Sequence, residues 1–293
     1  MKRTASAPGT VAHERRATGK IILSGEYAVV FGYPGIAIPS SATLTVSYEP
    51  SDAKLRIDWP EKDLHPAWLE YAHKIVRLLE DQTKKKYGGI IRIENQLPLG
   101  KGMGSSTALV IALTKSLVSE AESRGSPLRK VALAIENTVN PGGSGIDFHT
   151  IWDGKPILFQ KGESSVEAYL SLDFLEGAIL IDTGKPDQTT KELVAWMKTR
   201  EAEVEPVLER IGQCTLRFLE GEDPLAIVKD HHRAQTELGV VPEAAQKLIA
   251  EIEKAGGAAK VIGAGGRTGG GGMVLALGIE ATMVASSFKT YRL

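Results

Sequence analysis

Three glycines and two serines lie between a stretch of alternating apolar residues and a long apolar helix pattern. The glycines are Gly100, Gly102 and Gly104, and Ser105 and Ser106 stand where the helix should begin. A loop of this composition exposes several backbone N–H groups at the positive end of a helix dipole. The sequence therefore predicts an anion cradle, and phosphate is the usual occupant of such a cradle.

The glycine spacing excludes two common nucleotide-binding motifs. The chain has no Gly-x-x-x-x-Gly-Lys-Ser/Thr loop, and the dinucleotide fingerprint requires a different spacing of its glycines. A plain turn before a helix is the alternative explanation, so the prediction depends on what the rest of the chain supplies. Phosphoryl transfer would need a divalent metal, a group that orients the acceptor hydroxyl, and stabilising positive charge.

Three charged residues are candidates for these tasks. Glu136, near the end of an apolar helix, could join a serine hydroxyl on Mg²⁺, which prefers oxygen ligands. An exposed surface glutamate is the alternative. Asp147, between two apolar residues, could orient or deprotonate a substrate hydroxyl, or it could close an Asx turn. Lys20 opens an apolar strand, where it could place a cation beside Asp147 or extend its ammonium from a sheet edge to water.

The histidines and the single cysteine indicate no metal chemistry. His231 and His232 are adjacent on a predicted helix and point in different directions, whereas zinc would need a spacing of four residues and a third ligand. A structural role is favoured for both. Cys214 lies in an apolar helical stretch, cannot form an internal disulfide, and fits a reducing compartment.

The composition predicts a globular protein without a polyanionic partner. The chain has 293 residues, of which 42% are hydrophobic and 24% charged, enough for one large domain or two ordinary ones. Its formal net charge of -1 is spread along the sequence, so we expect no nucleic-acid partner. No apolar run reaches transmembrane length, and Met1–Thr4 precede no apolar core of a signal peptide. We therefore expect no membrane partner and a cytoplasmic location.

Apolar periodicity predicts the elements that must position the candidate residues. Strands are expected at Lys20–Leu23 and Gly89–Glu94, and a helix is expected at Pro66–Thr83. The polar segment Thr10–Gly19 is predicted to be a loop. Polar residues at Glu163–Ser171 predict a linker, which would divide the chain into domains 1–170 and 171–293. Most of the second domain is predicted to be helical from about Thr189 to Lys254, with breaks at Gly221–Pro224 and Gly239–Pro242.

Two glycine-rich segments resemble motifs of the GHMP kinases. Pro98–Ala108 is similar to the second motif of that family, Pro-x-x-x-Gly-Leu-Gly-Ser-Ser-Ala, with Met103 in place of the leucine and Thr107 in place of an alanine. Lys260–Leu277 resembles the third motif, Lys-x-x-Gly-Ala-Gly-Gly-Gly-Gly, and is lengthened by Arg267-Thr268 and additional glycines.

Within this family the chain looks most like the mevalonate kinases. Their first motif resembles Ala5–Gly9, Lys20–Leu23 and Gly25–Ala37 if Thr10–Gly19 is an insertion. Glu136 and the run Ser144-Gly145-Ile146-Asp147 also stand at the family's spacing. The resemblance spans nearly the whole chain, and the motifs are specific in combination.

The resemblance implies an α+β fold of two domains with the site between them. The N-terminal, ATP-binding domain would be like domain 2 of ribosomal protein S5, and the C-terminal domain would be ferredoxin-like. The implied catalytic residues are Asp147 and Lys20, and the implied Mg²⁺ ligands are Ser106 and Glu136. The residues implied to bind ATP are Lys101, Gly102, Met103, Gly104, Ser105, Ser106 and Thr107. The residues implied to bind the acceptor substrate are Glu26, Tyr27, Gly145, Ala264 and Gly265.

The implied activity is the ATP- and Mg²⁺-dependent phosphorylation of the C5 hydroxyl of mevalonate. The small-molecule partners would be mevalonate and ATP, and the resemblance admits a homodimer. Tyr27 departs from the mevalonate kinase pattern, which usually has histidine at this position. With tyrosine there, the run Gly25-Glu26-Tyr27-Ala28-Val29 resembles the motif of the phosphomevalonate kinases. The family's His-Gly-x-Pro turn is also replaced here, by Asn140–Gly143. Phosphomevalonate kinase, another small-molecule kinase, and a protein that binds a nucleotide or metabolite without turnover are therefore the alternatives.

Overall fold

A computed structural model describes residues 13–61, 64–119, 127–163, 165–284 and 288–293 of the chain. The strands are β1 (His13–Ser24), β2 (Gly35–Pro50), β3 (Arg56–Asp58), β4 (Gly89–Asn95), β5 (Ile157–Phe159), β6 (Val166–Glu167), β7 (Ile179–Asp182), β8 (Ala258–Ile262), β9 (Met273–Leu277) and β10 (Lys289–Arg292). The helices are α1 (Pro66–Thr83), α2 (Ser105–Leu117), α3 (Leu128–Val139), α4 (Ile146–Asp153), α5 (Thr190–Lys198), α6 (Glu201–Glu220), α7 (Pro224–Leu238) and α8 (Glu243–Lys254). In the described ranges no helix combines the length and the apolar character needed to cross a bilayer.

The helices begin where local capping chemistry places them. The predicted bounds of α1 are confirmed, because His65 accepts a hydrogen bond from the Ala67 N–H and Pro66 occupies the first helical position. At α5, the side chain of Thr189 accepts from the Glu192 N–H while the Glu192 carboxylate accepts from the Thr189 N–H, which forms a capping box. The predicted breaks before α7 and α8 are confirmed, and the helical region has one further break at Thr199–Arg200.

The chain divides into two compact units that are each discontinuous in sequence. The described parts of Met1–Ala17, Ala42–Leu97 and Thr107–Pro141 form the first unit. Thr18–Ser41, Pro98–Ser106 and the described parts of Gly142–Leu293 form the second. None of these borders falls at residue 170, so the division into domains 1–170 and 171–293 stays a prediction.

In the first unit, strands from three parts of the chain pair beside apolar helices. The second half of β2 runs antiparallel to β4, from Leu44 opposite Asn95 to Pro50 opposite Gly89, and β3 runs parallel to β4. Alternate residues of these strands are buried, as are Leu109 of α2 and the apolar face of α1. The buried residues of that face are Ala72, Ile75, Val76 and Leu79.

In the second unit, an antiparallel sheet has the strand order β10-β7-β9-β8. Counted along the chain, this is the order fourth, first, third, second, which is the order of ferredoxin-like sheets and confirms the predicted α+β class. In the usual place of the second helix, the described residues contain the short 3₁₀ turn Ala281–Met283. The first part of β2 pairs with β5, and β5 pairs with β6.

Side chains alternate between the two faces of β8, and this alternation decides where its lysine goes. Ala259 and Val261 belong to the core that includes the apolar side of α8. Ala258 and Ile262 belong to the core that includes Ile21 of β1. By the period of two, Lys260 shares the face of Ala258 and Ile262, and it is completely buried there.

Two sequence-based predictions about connecting segments are wrong. Residues His13–Gly19 are part of β1, which pairs with β2, rather than a loop, and Thr10–Ala12 lie outside the described residues. The charged side chains Glu14, Arg15 and Arg16 are exposed, so a polar composition did not prevent strand pairing. The polar segment Glu163–Ser171 contains β6, which pairs with β5, rather than an unpaired linker.

Candidate active site

The loop between β4 and α2 is shaped by contacts with Lys20. The Lys20 N–H donates to the Met103 carbonyl at 3.0 Å, and Lys20 Nζ donates to the Gly102 carbonyl at 2.9 Å. Gly104 has a φ of 73°, and a Cβ atom there would lie 2.9 Å from Ile151 Cδ1 and 3.1 Å from Lys20 Cγ. Only a bare backbone with left-handed geometry fits this position. The loop therefore passes directly over the lysine.

Lys20 also contacts Asp147, as predicted. Lys20 Nζ lies 3.1 Å from Asp147 Oδ1, and the lysine is only 2% exposed. Two oxygens, one from the loop and one from the carboxylate, thus share the ammonium. The structure brings together the cradle, the cation and the carboxylate, whereas their catalytic roles stay predictions.

The start of α4 fixes the direction of Asp147. Gly145 is the N-cap residue with a φ of 100°, and the Ile146 N–H donates to Ser144 Oγ at 3.3 Å. Asp147 lies in the first turn of the helix, where the helix dipole favours negative charge. Its side chain is 36% exposed, so the carboxylate can reach a ligand while it keeps its contact with Lys20.

Lys101 and Ser105 have partners within the second unit. Lys101 forms an ion pair with Asp182 at the end of β7, and the other oxygen of Asp182 accepts from the Gly184 N–H at 3.0 Å. Ser105 Oγ accepts from the Gly100 N–H at 3.1 Å, which closes the loop on itself. These contacts hold the loop in shape, and the ATP contacts of Lys101–Thr107 stay predictions.

Glu136 is buried in the first unit, so the alternative of an exposed surface glutamate is wrong. Its exposed fraction is 9%, and Oε1 accepts from Thr107 Oγ1 at 2.8 Å and from Asn140 Nδ2 at 3.0 Å. Asn140 also donates to the Tyr71 hydroxyl at 3.0 Å. The helical period places Glu136 on the same face as Ala132, and both are buried in α3.

The donor chemistry of Ser106 and Glu136 suits magnesium. A hydroxyl and a carboxylate are hard oxygen ligands, and Mg²⁺ bound to phosphates needs only one or two protein ligands. Among the described residues no group of three His, Cys, Asp or Glu side chains could hold a metal, so a site built entirely from such side chains is absent there. Ser106 is half-buried in the first turn of α2 and belongs to the second unit, whereas Glu136 belongs to the first. Their pairing as ligands stays a prediction.

Glu26 is the centre of a buried group of charges. The Glu26 carboxylate pairs with Lys260 Nζ, and its Oε2 lies 3.0 Å from His231 Nε2. Lys260 Nζ also donates to the carbonyls of Ile22 and Val261, both at 3.2 Å. The side chains of all three residues are at most 1% exposed. We call Glu26, His231 and Lys260 the buried triad.

Mutual charge stabilisation keeps the carboxylate of the buried triad ionised. Burial alone would raise the pKa of Glu26, but Lys260 and His231 outweigh it and hold this pKa at about 2. Burial lowers the pKa of His231, and its Nε2 accepts from the Gly25 N–H at 3.3 Å while it lies 3.0 Å from the carboxylate. Burial also lowers the pKa of Lys260, and Glu26 opposes this effect. The contact of Glu26 with the acceptor substrate stays a prediction. In the structure its carboxylate contacts Lys260 and His231.

Tyr27 joins the turn after β1 to the loop after β8. Its hydroxyl donates to the Ala264 carbonyl, and the residue is 5% exposed with a φ of 63°. Its ψ of -48° puts this backbone outside the regions that bulky residues usually adopt, so the turn is strained. Gly265 then passes so close to Val240 that a Cβ atom would lie 2.2 Å from its carbonyl oxygen. Three predicted substrate residues, Tyr27, Ala264 and Gly265, are therefore brought together.

The partners of the predicted residues could not be recognised in the sequence. Neither the contacts of His231 and Lys260 with Glu26 nor that of Asp182 with Lys101 was predicted. One signal was available, because Lys260 stands among four apolar residues and Asp182 ends an apolar strand. A charge in such a strand requires a partner, although nothing in the pattern identifies which one.

Comparison with known families supports a kinase fold. Residues 70–152 match the model of the GHMP kinases N terminal domain. This range includes the glycine-rich loop, Glu136 and Asp147.

Similar proteins cover nearly the whole chain. The mevalonate kinase of Pyrococcus furiosus is 29% identical over 318 residues, which cover 94% of this chain and 89% of that protein. The structure of the Methanococcus jannaschii mevalonate kinase superposes with a TM-score of 0.78 at 18% identity and covers 97% of this chain and 98% of that one. The L. major mevalonate kinase in complex with R-mevalonate has a TM-score of 0.73 at 18% identity, with 92% and 88% covered. In its motifs and its fold, the chain is therefore similar to the GHMP kinases along most of its length.

Proposed function

We propose that this protein is a kinase that transfers the γ-phosphoryl group of ATP to the C5 hydroxyl of mevalonate. The observation that carries the proposal is the Lys20–Asp147 ion pair beneath the Gly102–Gly104 loop. A pure binding protein would need a phosphate cradle, but it would have no use for an accessible carboxylate held beside it by a buried cation. The similarity to mevalonate kinases along most of the chain supports mevalonate as the acceptor.

The residues divide the reaction between them. Asp147 orients the acceptor hydroxyl and takes its proton as the oxygen attacks the γ-phosphorus. The new O–P bond forms while the bond from the γ-phosphorus to the bridging oxygen breaks, and ADP leaves with that oxygen. Lys20 holds Asp147 in place and stabilises developing negative charge near the acceptor. The N–H groups at the start of α2 bind phosphate oxygens at the positive end of the helix dipole.

A bound Mg²⁺ would neutralise charge on the ATP phosphates. Ser106 and Glu136 are the residues that would hold it. The Thr107 and Asn140 contacts to Oε1 would orient the Glu136 carboxylate for this role. The cytoplasmic location and the homodimer stay predictions of the sequence analysis.

A coupled assay of ADP release tests the proposal and its alternatives together. The purified protein is given Mg·ATP with mevalonate, phosphomevalonate, homoserine or galactose in separate reactions, and phosphorus NMR identifies the product. We expect ADP release with mevalonate and a phosphomonoester on C5. Faster turnover with phosphomevalonate than with mevalonate would show that the protein is a phosphomevalonate kinase, the alternative that Tyr27 suggests. Tight ATP binding without ADP release from any acceptor would overturn the proposal in favour of a binding protein.

A further inference from the structure

The loop between β8 and β9 is held from outside by the side chain of Gln188. Gln188 Oε1 accepts from the N–H groups of Arg267 at 2.8 Å and Thr268 at 3.3 Å. Gln188 Nε2 donates to Thr268 Oγ1 at 2.8 Å. One amide therefore satisfies three polar groups at the two residues that lengthen the family motif.

An aromatic contact holds the same part of the loop. The guanidinium carbon of Arg267 lies 4.4 Å from the ring centroid of Trp196 in α5. This is within the range of a cation–π interaction. Arg200, at the start of α6, contacts the same ring at the same distance of 4.4 Å, but it lies outside the loop. We call Gln188, Trp196 and Arg267 the loop clamp.

The outgoing half of the loop is paired with the segment after β7. The Asp187 N–H donates to the Thr268 carbonyl at 3.2 Å, and the Gly270 N–H donates to the Lys185 carbonyl at 2.9 Å. The backbone after Arg267 is thus fixed independently of the acceptor end of the loop. On the incoming side, the Gly266 N–H donates to the Val240 carbonyl at 2.9 Å, so the loop clamp acts on the apex between these two bonded segments.

Trp196 belongs to the same apolar cluster as two of the predicted acceptor residues. Trp196 packs in an apolar cluster with Tyr27, Ala264 and Leu193. Tyr27 donates its hydroxyl hydrogen bond to Ala264 in the same cluster. Arg267 is exposed, and its contact with this cluster is through the ring of Trp196.

We propose that Arg267 is a positioning residue for the acceptor. By stacking on Trp196, it holds the apex of the loop so that Ala264 and Tyr27 keep their mutual position, and Gln188 supports it from the backbone side. The inference rests on the proposed function, because it takes the acceptor to bind beside Tyr27 and Ala264. Loss of the Arg267 contact should therefore weaken binding of the alcohol substrate and leave binding of ATP unchanged.

Paired arginine variants test the proposal. In Arg267→Ala we expect the KM for mevalonate to rise about two- to fivefold, the range that the loss of one exposed cation–π contact allows. The KM for ATP and kcat should stay at wild-type values. Arg200→Ala is the matched control, because it removes the other cation from the same ring and should leave all three constants unchanged. An unchanged KM for mevalonate in Arg267→Ala, or an equal rise in both variants, would overturn the assignment.

Proteolysis tests the loop clamp without any activity. Trypsin should cleave after Arg267 faster in Gln188→Ala than in the wild type, with cleavage after the exposed Lys161 in the same digest as the internal reference. Equal relative rates would show that Gln188 does not restrain the loop and would overturn its part of the inference. A wild type that clamps its loop but releases no ADP would instead refute the proposed function, so the two failures are distinguishable.

Discussion

Lys20 and Asp147 form an ion pair whose two members differ sharply in exposure. The side chain of Lys20 is 3% exposed and that of Asp147 is 36% exposed, with 3.1 Å between Nζ and Oδ1. The cation is thus enclosed by the protein, whereas the carboxylate is partly open to solvent. This asymmetry fits a carboxylate that acts on a hydroxyl and a lysine that acts through its position and charge.

Asp147→Asn should reduce kcat by about 10²- to 10⁴-fold, because the amide cannot accept the hydroxyl proton. ATP affinity, measured by calorimetry, should remain at the wild-type level, since the phosphate loop is untouched. Asp153→Asn, at the far end of the same helix, is the control and should keep its activity. Near-full turnover in Asp147→Asn would contradict the assigned role.

Gly104→Ala should reduce turnover by about 10²-fold, the cost of displacing a phosphate-binding loop by roughly 1 Å. The added Cβ would come within 3.1 Å of Lys20 Cγ. Gly221→Ala is the matched control, because its φ of 77° imposes similar backbone strain but no atom lies within 4 Å of the added Cβ. Both variants should lose about 1–2 kcal/mol of stability, and only Gly104→Ala should lose activity. Equal kcat values would argue against a close approach of loop and lysine.

Lys260→Met should lower the free energy of unfolding by about 3–5 kcal/mol, because Glu26 would remain buried without its cation. Urea unfolding followed by circular dichroism measures this loss. The exposed ion pair between Arg210 and Glu237 provides the comparison, since Glu237→Gln should cost less than about 1 kcal/mol. A similar small loss in both variants would mean that the buried triad contributes little to the fold.

His232 should make stability depend on pH in a defined window. Burial, with the neighbouring His231 and Arg233, lowers the pKa of His232 from 6.5 to about 4. Between these values the unfolded chain binds more protons than the folded one, so the free energy of unfolding falls as the pH falls.

The measurement is urea unfolding at several pH values between 7 and 4. His232→Gln removes the titrating group, so its stability should fall less than that of the wild type across this window. Gln82→Ala, an exposed change in α1 that removes no titrating group, should keep the wild-type profile. Parallel curves for the wild type and His232→Gln would refute the prediction.

Elements defined by local chemistry could be predicted from the sequence, because their signals are adjacent in the chain. The bounds of α1 follow from Pro66 and its apolar periodicity, and the start of α7 follows from Asp223 and Pro224. The segment His13–Gly19 could not be predicted as strand, because its pairing partner in β2 decides its conformation and its polar composition argues against it.

The part of the site that lies within the family motifs could be predicted from the sequence. The proximity of Lys20 and Asp147 followed from the family resemblance, and the structure contains that contact. The buried triad was not predictable, because His231 and Lys260 reach Glu26 only after a helix and a strand from distant parts of the chain pack on β1. Pattern analysis detects that a buried charge needs a partner, whereas only tertiary packing selects the partner.

The bond from Tyr27 to Ala264 has a consequence for anyone who redesigns acceptor choice. Installing the histidine that mevalonate kinases usually carry would shorten the side chain and deprive the Ala264 carbonyl of its hydroxyl donor. The residue at position 27 and the lengthened glycine loop therefore have to be exchanged together, because changing either one alone removes the hydrogen bond that joins them. A successful graft of the histidine would have to transplant the shorter loop of the donor enzyme together with it.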